Sequence, residues 1–428
     1  MPPNQTKMPE PRPSPGGEES RVPAGVKGLS LVSLFNDFAS EMVYPLLPAF
    51  VTRTLGGSAV TLGLLDGASE LTASALKWIS GRLADRPGWR RPLILAGYGT
   101  AVLVRPLIAS TSAAWQVVGF RVIDRIGKGL RTPPRDAMIA EITPLELRGR
   151  AFGYHRGADH FGAVLGSLAA WWLLRQGANV RSVIGWSVVP GLVAFVVLAG
   201  VLKSRKTSAV SRQQSGTASS RVDGAPPVSL ASGDRGLGTQ SLWPPLLALT
   251  ALSFFRLPET LLILRLQDRG VSVALVPLIW AGLHVVRSAS SYPGGRLSDW
   301  RGARLVVAAG GILFALIVFA LGLTIGAIAA VTLFLVLGLV AGLTESGERS
   351  MIARLAPVRM GRGFGAYHAL TGIAALPAGL LFGELYQSSG GHAALWASAA
   401  GMLASVVAWL AVSPAGTGLA GDNPRGTS

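Results

Sequence analysis

Long apolar runs separated by short charged ones govern the reading of this chain. Ser182 to Leu202 carries no charge and, rising about 1.5 Å per residue, is long enough to cross a bilayer core as a helix. Leu305 to Thr344 is also uncharged. As one helix it would extend about 60 Å, twice the hydrocarbon thickness, so it must turn back once, near Gly322 to Gly326. No charge appears between His392 and Asp422, which leaves room for a last span. On the same scale the pattern predicts about twelve spans, at 28–52, 60–80, 92–111, 113–130, 150–174 and 182–202, then 242–264, 272–293, 304–322, 326–346, 363–386 and 392–413.

The remainder falls between these spans. Residues 1–27 are polar and Pro-rich, without the apolar stretch of a cleavable signal peptide, and read as a disordered cytosolic segment. Residues 28–202 and 242–413 form two six-helix bundles. Residues 203–241, rich in Ser, Gly and Arg, read as a flexible cytosolic linker, and 414–428 as a cytosolic tail.

Composition narrows the class. Hydrophobic residues make up 50% of the chain and charged ones only 14%, against roughly a quarter in a soluble domain; the mean hydropathy is +0.45. Those figures exclude an ordinary soluble enzyme and a disordered chain, and point to an all-α polytopic membrane protein. With no Cys there is no disulfide framework, thiolate metal site or cysteine nucleophile. The net charge of +17 lies in short loops, not in a compact basic domain, so a nucleic-acid partner is not expected. With both termini cytosolic, the inward loops hold Arg82, Arg86, Arg90, Arg91, Lys128, Arg131, Arg135, Arg148, Arg150 and their second-half counterparts. The outward loops hold only Arg53, Arg175, Arg181, Arg265 and Arg269. This positive-inside bias orients the chain in a bacterial inner membrane.

The two halves repeat each other. Gly81-Arg-Leu-Ala-Asp85-Arg86-Pro-Gly88-Trp-Arg90 recurs half a chain later as Gly295-Arg-Leu-Ser-Asp299-Trp-Arg301-Gly302-Ala-Arg304. Met138-Ile139-Ala140 recurs as Met351-Ile352-Ala353, and Arg150-Ala-Phe152-Gly153 as Arg362-Gly-Phe364-Gly365. An even number of spans per copy keeps the copies parallel, related by an axis along the membrane normal. The loop Gly81 to Arg91 resembles the signature loop between helices 2 and 3 of the major facilitator superfamily. Its weaker copy stands where that superfamily places a second one, between helices 8 and 9. Asp37-Phe-Ala-Ser-Glu41-Met-Val-Tyr44-Pro45 and Gly127-Lys-Gly-Leu-Arg131-Thr-Pro-Pro-Arg135-Asp136 are similar to a bacterial branch with poorly defined substrates. The resemblance implies a secondary carrier with a cytosolic gate at Gly81, Asp85, Arg86, Gly88, Arg90, Asp299 and Arg362, in which Asp85 locks against the start of helix 11. Gly153, Gly162 and Gly166 partly match the superfamily's antiporter motif. Arg125 replaces the Gly expected four residues after Arg121.

Ionisable groups at lipid depth mark a bundle interior or a wet cavity. Asp37 and Glu41 lie four apart, on one helix face, and with Asp159 are the candidates for proton or cation coupling. Arg105, just before Pro106, with His155, Arg156 and Arg287, are the candidates for the solute cavity; Arg105 could alternatively neutralise nearby acids. Asp124 and Lys128, at i and i+4, are spaced for a local pair, and Asp66 falls near the outer end, where solvent would reach it. Gly127-Lys128-Gly129 lacks the spacing of a P-loop, and no metal-ligand or triad pattern is present. The reading is a non-enzymatic secondary active transporter, expected as a monomer without cofactor, its partners the bilayer, a small-molecule solute and protons. It would move a small organic solute by alternating access, with proton-driven export by antiport favoured over symport uptake. The alternatives are a membrane-embedded lipid-handling enzyme and a non-transporting sensor on a carrier scaffold.

Overall fold

The computed structural model describes residues 22–86, 88–143, 147–215, 243–323, 326–355 and 360–413, without the side chains of 148–150, 204–215, 292, 295, 299, 346, 349–350, 353–355 and 360–364. All regular structure among them is helical. In the first half α1 (Ala24–Val43) continues through a 3-10 turn at Tyr44–Leu46, the turn α2 (Leu47–Ala49) and a π-helical turn at Phe50–Thr54. There follow α3 (Ala59–Ala84), α4 (Arg90–Ile108), α5 (Ala114–Glu141), α6 (Arg148–Arg175), α7 (Val180–Trp186) and α8 (Val188–Ser215). The second half contains α9 (Trp243–Phe254), α10 (Glu259–Asp268), α11 (Val276–Arg301), α12 (Ala303–Gly322), α13 (Ala327–Leu355), α14 (Met360–Ser389) and α15 (Gly391–Val412). Taking α1–α2, α7–α8 and α9–α10 each as one broken pass gives twelve passes, as the hydropathy pattern predicts.

Three details go beyond that pattern. The first helix of each half breaks at a proline, Pro45 and Pro258, which supplies no N–H to the preceding turn. The helices α5, α13 and α14 run well past the apolar stretches at the end of the molecule that carries the termini. And α8 continues to Ser215, into the predicted linker, whose remainder to residue 242 lies outside the described residues. By length and apolar composition, six stretches qualify as membrane spans, five of them in the second half or shared with its helices. The other first-half helices carry more charges within their apolar lengths, and Arg105, Arg121 and Asp124 among these are buried.

The duplication is visible in packing. Positive φ at Gly88 (84°) and Gly302 (87°) turns the chain at the same point of both repeated loops, a conformation that strains any other residue. A Cβ at Gly97 of α4 would meet Arg131 of α5, and one at Gly310 of α12 would meet Thr344 of α13. Likewise Gly129 packs on Leu76 of α3, and Gly342 on Ser290 of α11. Small residues let these backbones approach closely, the usual basis of helix association in lipid.

Between the halves, Gly63 and Gly67 of α3 lie against the backbone of Gly379, Ala375 and Leu376 in α14 along one seam. At the end away from the termini, Val43, Leu47, Phe50, Leu62 and Leu65 join Leu257, Leu261, Leu262 and Leu266 in a single apolar core. At the end bearing the termini, the core of Val26, Leu29, Ile94, Tyr98, Met138 and Leu198 contains first-half residues only. The halves share a core at the end away from the termini, and α3 and α14 stay in contact from Gly63–Gly379 to Trp78–Gly365.

Candidate functional site

The halves meet mainly through α3 against α14 and α6 against α11, with the end of the first pass reaching α10 and α11. In the first half most charges are consumed within the bundle. Arg105 is buried, its Nε 3.0 Å from Asp124 and its Nη1 donating to the Asn36 carbonyl at 2.8 Å. Arg121 reaches the other Asp124 oxygen at 3.3 Å and lies over the Tyr44 ring. Asp124 therefore pairs with these two arginines and not with Lys128: buried charge needs close opposite charge, and Lys128 is turned to the exposed side. Arg105 accordingly sits as a neutralising group between helices, away from the open space.

Deeper toward the terminal end, Arg135 donates to Ser33 at 2.8 Å and pairs with Asp136 at 2.9 Å. His155 is held by Ser30 and Ser33, at 3.3 and 3.5 Å, with Asp159 3.8 Å away. One Asp159 oxygen is buried without a hydrogen-bond partner, and Asp37, which accepts from Asn36 at 3.0 Å, lies within its electrostatic reach. Asp37, Asp159 and His155 thus meet around one point on α1 and α6. Arg156 instead is exposed and enters no ion pair among the described residues.

Glu41 stands apart from that group and crosses to the other half. It accepts from Trp280 Nε1 at 2.8 Å and lies 3.8 Å from His284 Nε2, while Tyr44 packs on the Trp280 ring. A second tie runs the other way. Asp66 accepts from the Thr260 hydroxyl at 2.7 Å and its backbone N–H at 3.2 Å, and from Tyr44 at 3.2 Å. Asp66 is therefore not a solvated outer residue: its carboxylate caps the N-terminus of α10, where the free N–H groups and the helix dipole favour an anion. Asp66 and Trp280 occupy corresponding places on the duplicated helices α3 and α11, so the two ties are related by the internal symmetry. Thr260 and Trp280 gave no signal in the sequence, because neither is ionisable and both partners are about two hundred residues distant.

In the second half the ions ring an opening. Arg287 lies 3.4 Å from Glu345 and 3.8 Å from Glu259, and Arg256 pairs with Glu348 at 2.9 Å, with Tyr367 donating to the same carboxylate. Behind them a cavity of about 90 Å³, open on one side, extends among apolar side chains of α10 to α13.

At the predicted gate, Arg90 ties the loop to α3 and α5, donating to the Ala84 carbonyl at 2.9 Å and to Glu141 at 2.7 Å. Gly81 faces Pro133 of α5. Asp85 and Arg86 are exposed and enter no ion pair among the described residues. The side chains of Asp299 and Arg362 lie outside the described set. Of the antiporter-motif glycines, Gly162 and Gly166 pack on the backbone of Leu34 and Phe38 in α1, whereas Gly153 faces open space.

Known proteins share this architecture. A D-xylose–proton symporter structure superposes with a TM-score of 0.70 at 15% identity, covering 91% of this chain and 97% of that one. A bacterial homologue of the human lysosomal transporter Spinster, inward-facing and unoccupied, gives 0.62 at 17% identity, over 91% of this chain and 95% of its own. In sequence, an uncharacterized MFS-type transporter of Methanocaldococcus jannaschii is 25% identical over 371 residues, 84% of this chain and 88% of the relative. The multidrug resistance protein MdtH of Yersinia enterocolitica is 30% identical over 159 residues, 37% of this chain and 38% of its own. The profile of the Major Facilitator Superfamily matches residues 29–346. This integral membrane chain, with its duplicated six-helix halves and repeated loop, belongs to the major facilitator superfamily.

Proposed function

We propose that the protein is a secondary active transporter that moves a small organic solute by alternating access, with proton-driven export across a bacterial inner membrane and both termini in the cytoplasm. The observation that carries this reading is the asymmetry of closure. One end is sealed by a shared apolar core and two cross-half polar ties, while the core at the end bearing the termini draws on the first half alone. A carrier needs two such states of similar free energy, each closed at one end. In this reading Asp85 latches the halves on the cytoplasmic side when they rock the other way.

Within this reading Asp37, Glu41 and Asp159 handle protons, and Glu41 couples them to movement because its carboxylate is also a strut to Trp280. Protonation replaces a charge-assisted hydrogen bond with a weaker neutral one. Arg156 and Arg287 face the solute, whereas Arg105 and His155 hold the bundle that frames it. Export is favoured by the glycine spacing on α6 and by the similarity of part of the chain to a multidrug resistance protein.

Proteoliposomes containing the purified protein test the proposal. A candidate solute should drive proton movement that Glu41→Gln and Asp37→Asn each abolish. Solute-independent proton movement, or a solute recovered chemically altered, would overturn it.

A further inference from the structure

We propose that the cavity between α10, α11, α12 and α13 binds the apolar part of an amphiphilic solute, whose head group, carrying both charges, is held at the mouth by Arg256, Glu259 and Arg287. The proposal deepens the transport reading, since it names the solute class, but binding itself can be measured without transport.

Protein interiors are close-packed and voids larger than a water molecule are few, so a cavity of about 90 Å³, room for several waters, is a feature to be explained. Its walls include Leu262, Leu283, Phe314, Phe334 and Leu337, with Arg256, Glu259, Arg287 and Thr344 as the polar lining, Glu259 and Arg287 side by side. An apolar recess with a few convergent polar groups is the usual build of a small-molecule site. The internal duplication shows where the room comes from. With α13 set against α5 by the matched contacts Gly97–Arg131 and Gly310–Thr344, Phe334, Gly338 and Ala341 stand where the first half has Arg121, Arg125 and Lys128. Long charged side chains crowd that place in one half; in the other, small and apolar residues leave it empty.

The mouth is unfinished electrostatically. Arg287 is 3.4 and 3.8 Å from its two carboxylates, longer than the roughly 2.7–2.9 Å of a charge-assisted bond, and its Nε is buried without a hydrogen-bond partner. A head group with an anionic and a cationic centre would complete the arginine and Glu259 together. The break between α9 and α10 places Arg256 at the same rim.

The test uses n-alkyl phosphocholines with chains of four to ten carbons, each below its micelle-forming concentration, and the full-length protein in nanodiscs. A buried methylene contributes about 0.8 kcal/mol, or roughly fourfold in affinity. Partition into the bilayer raises all variants alike, so the informative quantity is the difference between native protein and Ala341→Phe, which fills the cavity. That difference should be small for the four-carbon chain and grow with length. Ala341→Val should give a smaller difference of the same form, and it carries the test if the larger residue prevents folding, seen as a lost melting transition. Glu259→Gln should weaken binding about tenfold at every length. The same length dependence in native protein and in whichever of these cavity variants fold, or no binding by any member of the series, overturns the proposal. Loss of solute-driven flux with the length-dependent difference intact would instead overturn the transport reading.

Discussion

Where α5 of the first half carries Arg121, Asp124, Arg125 and Lys128, α13 of the second carries Phe334, Leu337, Gly338 and Ala341. The helices occupy equivalent places and use matching glycine contacts, yet one bundle is held by ions between its helices and the other by apolar packing around a void. The difference teaches that the duplication preserves backbone geometry, which depends on small residues at close approaches, and leaves the inward-facing side chains free to diverge. In the first half the buried ionic groups of α4 and α5 neutralise each other. In the second they stand at a rim, with Arg256 far more exposed (44%) than Arg105 (4%).

The sharpest way to break the comparison is to remove one ion from each half. Asp124→Asn leaves Arg105 and Arg121 buried without their counter-charge, and should cost about 3–5 kcal/mol in unfolding measurements. Glu348→Gln, which removes the partner of a largely exposed arginine, should cost no more than about 1 kcal/mol. Equal losses would refute the contrast between the bundles.

Next in size is the seam between the halves. Gly379→Leu drives a side chain into the Gly63 backbone, where neither helix can yield, and should destabilise by about 3 kcal/mol. Gly157→Leu, on a face of α6 with nothing within 4 Å of the added Cβ, should melt at or above the native temperature. The cross-half ties come third. Asp66→Asn keeps the shape of the α10 cap but loses its charge, worth about 1.4 kcal/mol, and should raise the open population at that end about tenfold. The labelling rate of a cysteine at Val60 reads that population, and an unchanged rate would remove Asp66 from the closure.

The smallest effect tests the sameness of the halves. Gly88→Ala and Gly302→Ala each force an L side chain into positive φ and should each cost about 1–2 kcal/mol. Costs differing by more than that whole range would show that the repeated loops are not equivalent.

Much of the scaffold was legible beforehand because lipid imposes simple rules. A span must be apolar for about twenty residues, and a duplicated run of Gly, Arg and Asp marks the same turn twice. The helix ends at the terminal face were harder, since α5 and α13 continue through charged residues that solvent outside the apolar layer can accommodate. Pairing was not legible at all. The i, i+4 spacing favours Asp124 with Lys128, but Arg105, on another helix, lies closer to Asp124 and shares its burial. Asp66 reads as a surface acid until α10 ends against it.

By itself, the sequence determined the twelve passes, their duplication, and the presence of charges at lipid depth, because hydropathy and periodicity are local properties of the chain. Only the tertiary structure decided which charges neutralise one another, which end is closed, and where the second half is hollow. Those outcomes depend on distances between residues of different helices, and such distances are fixed by how closely the backbones pack.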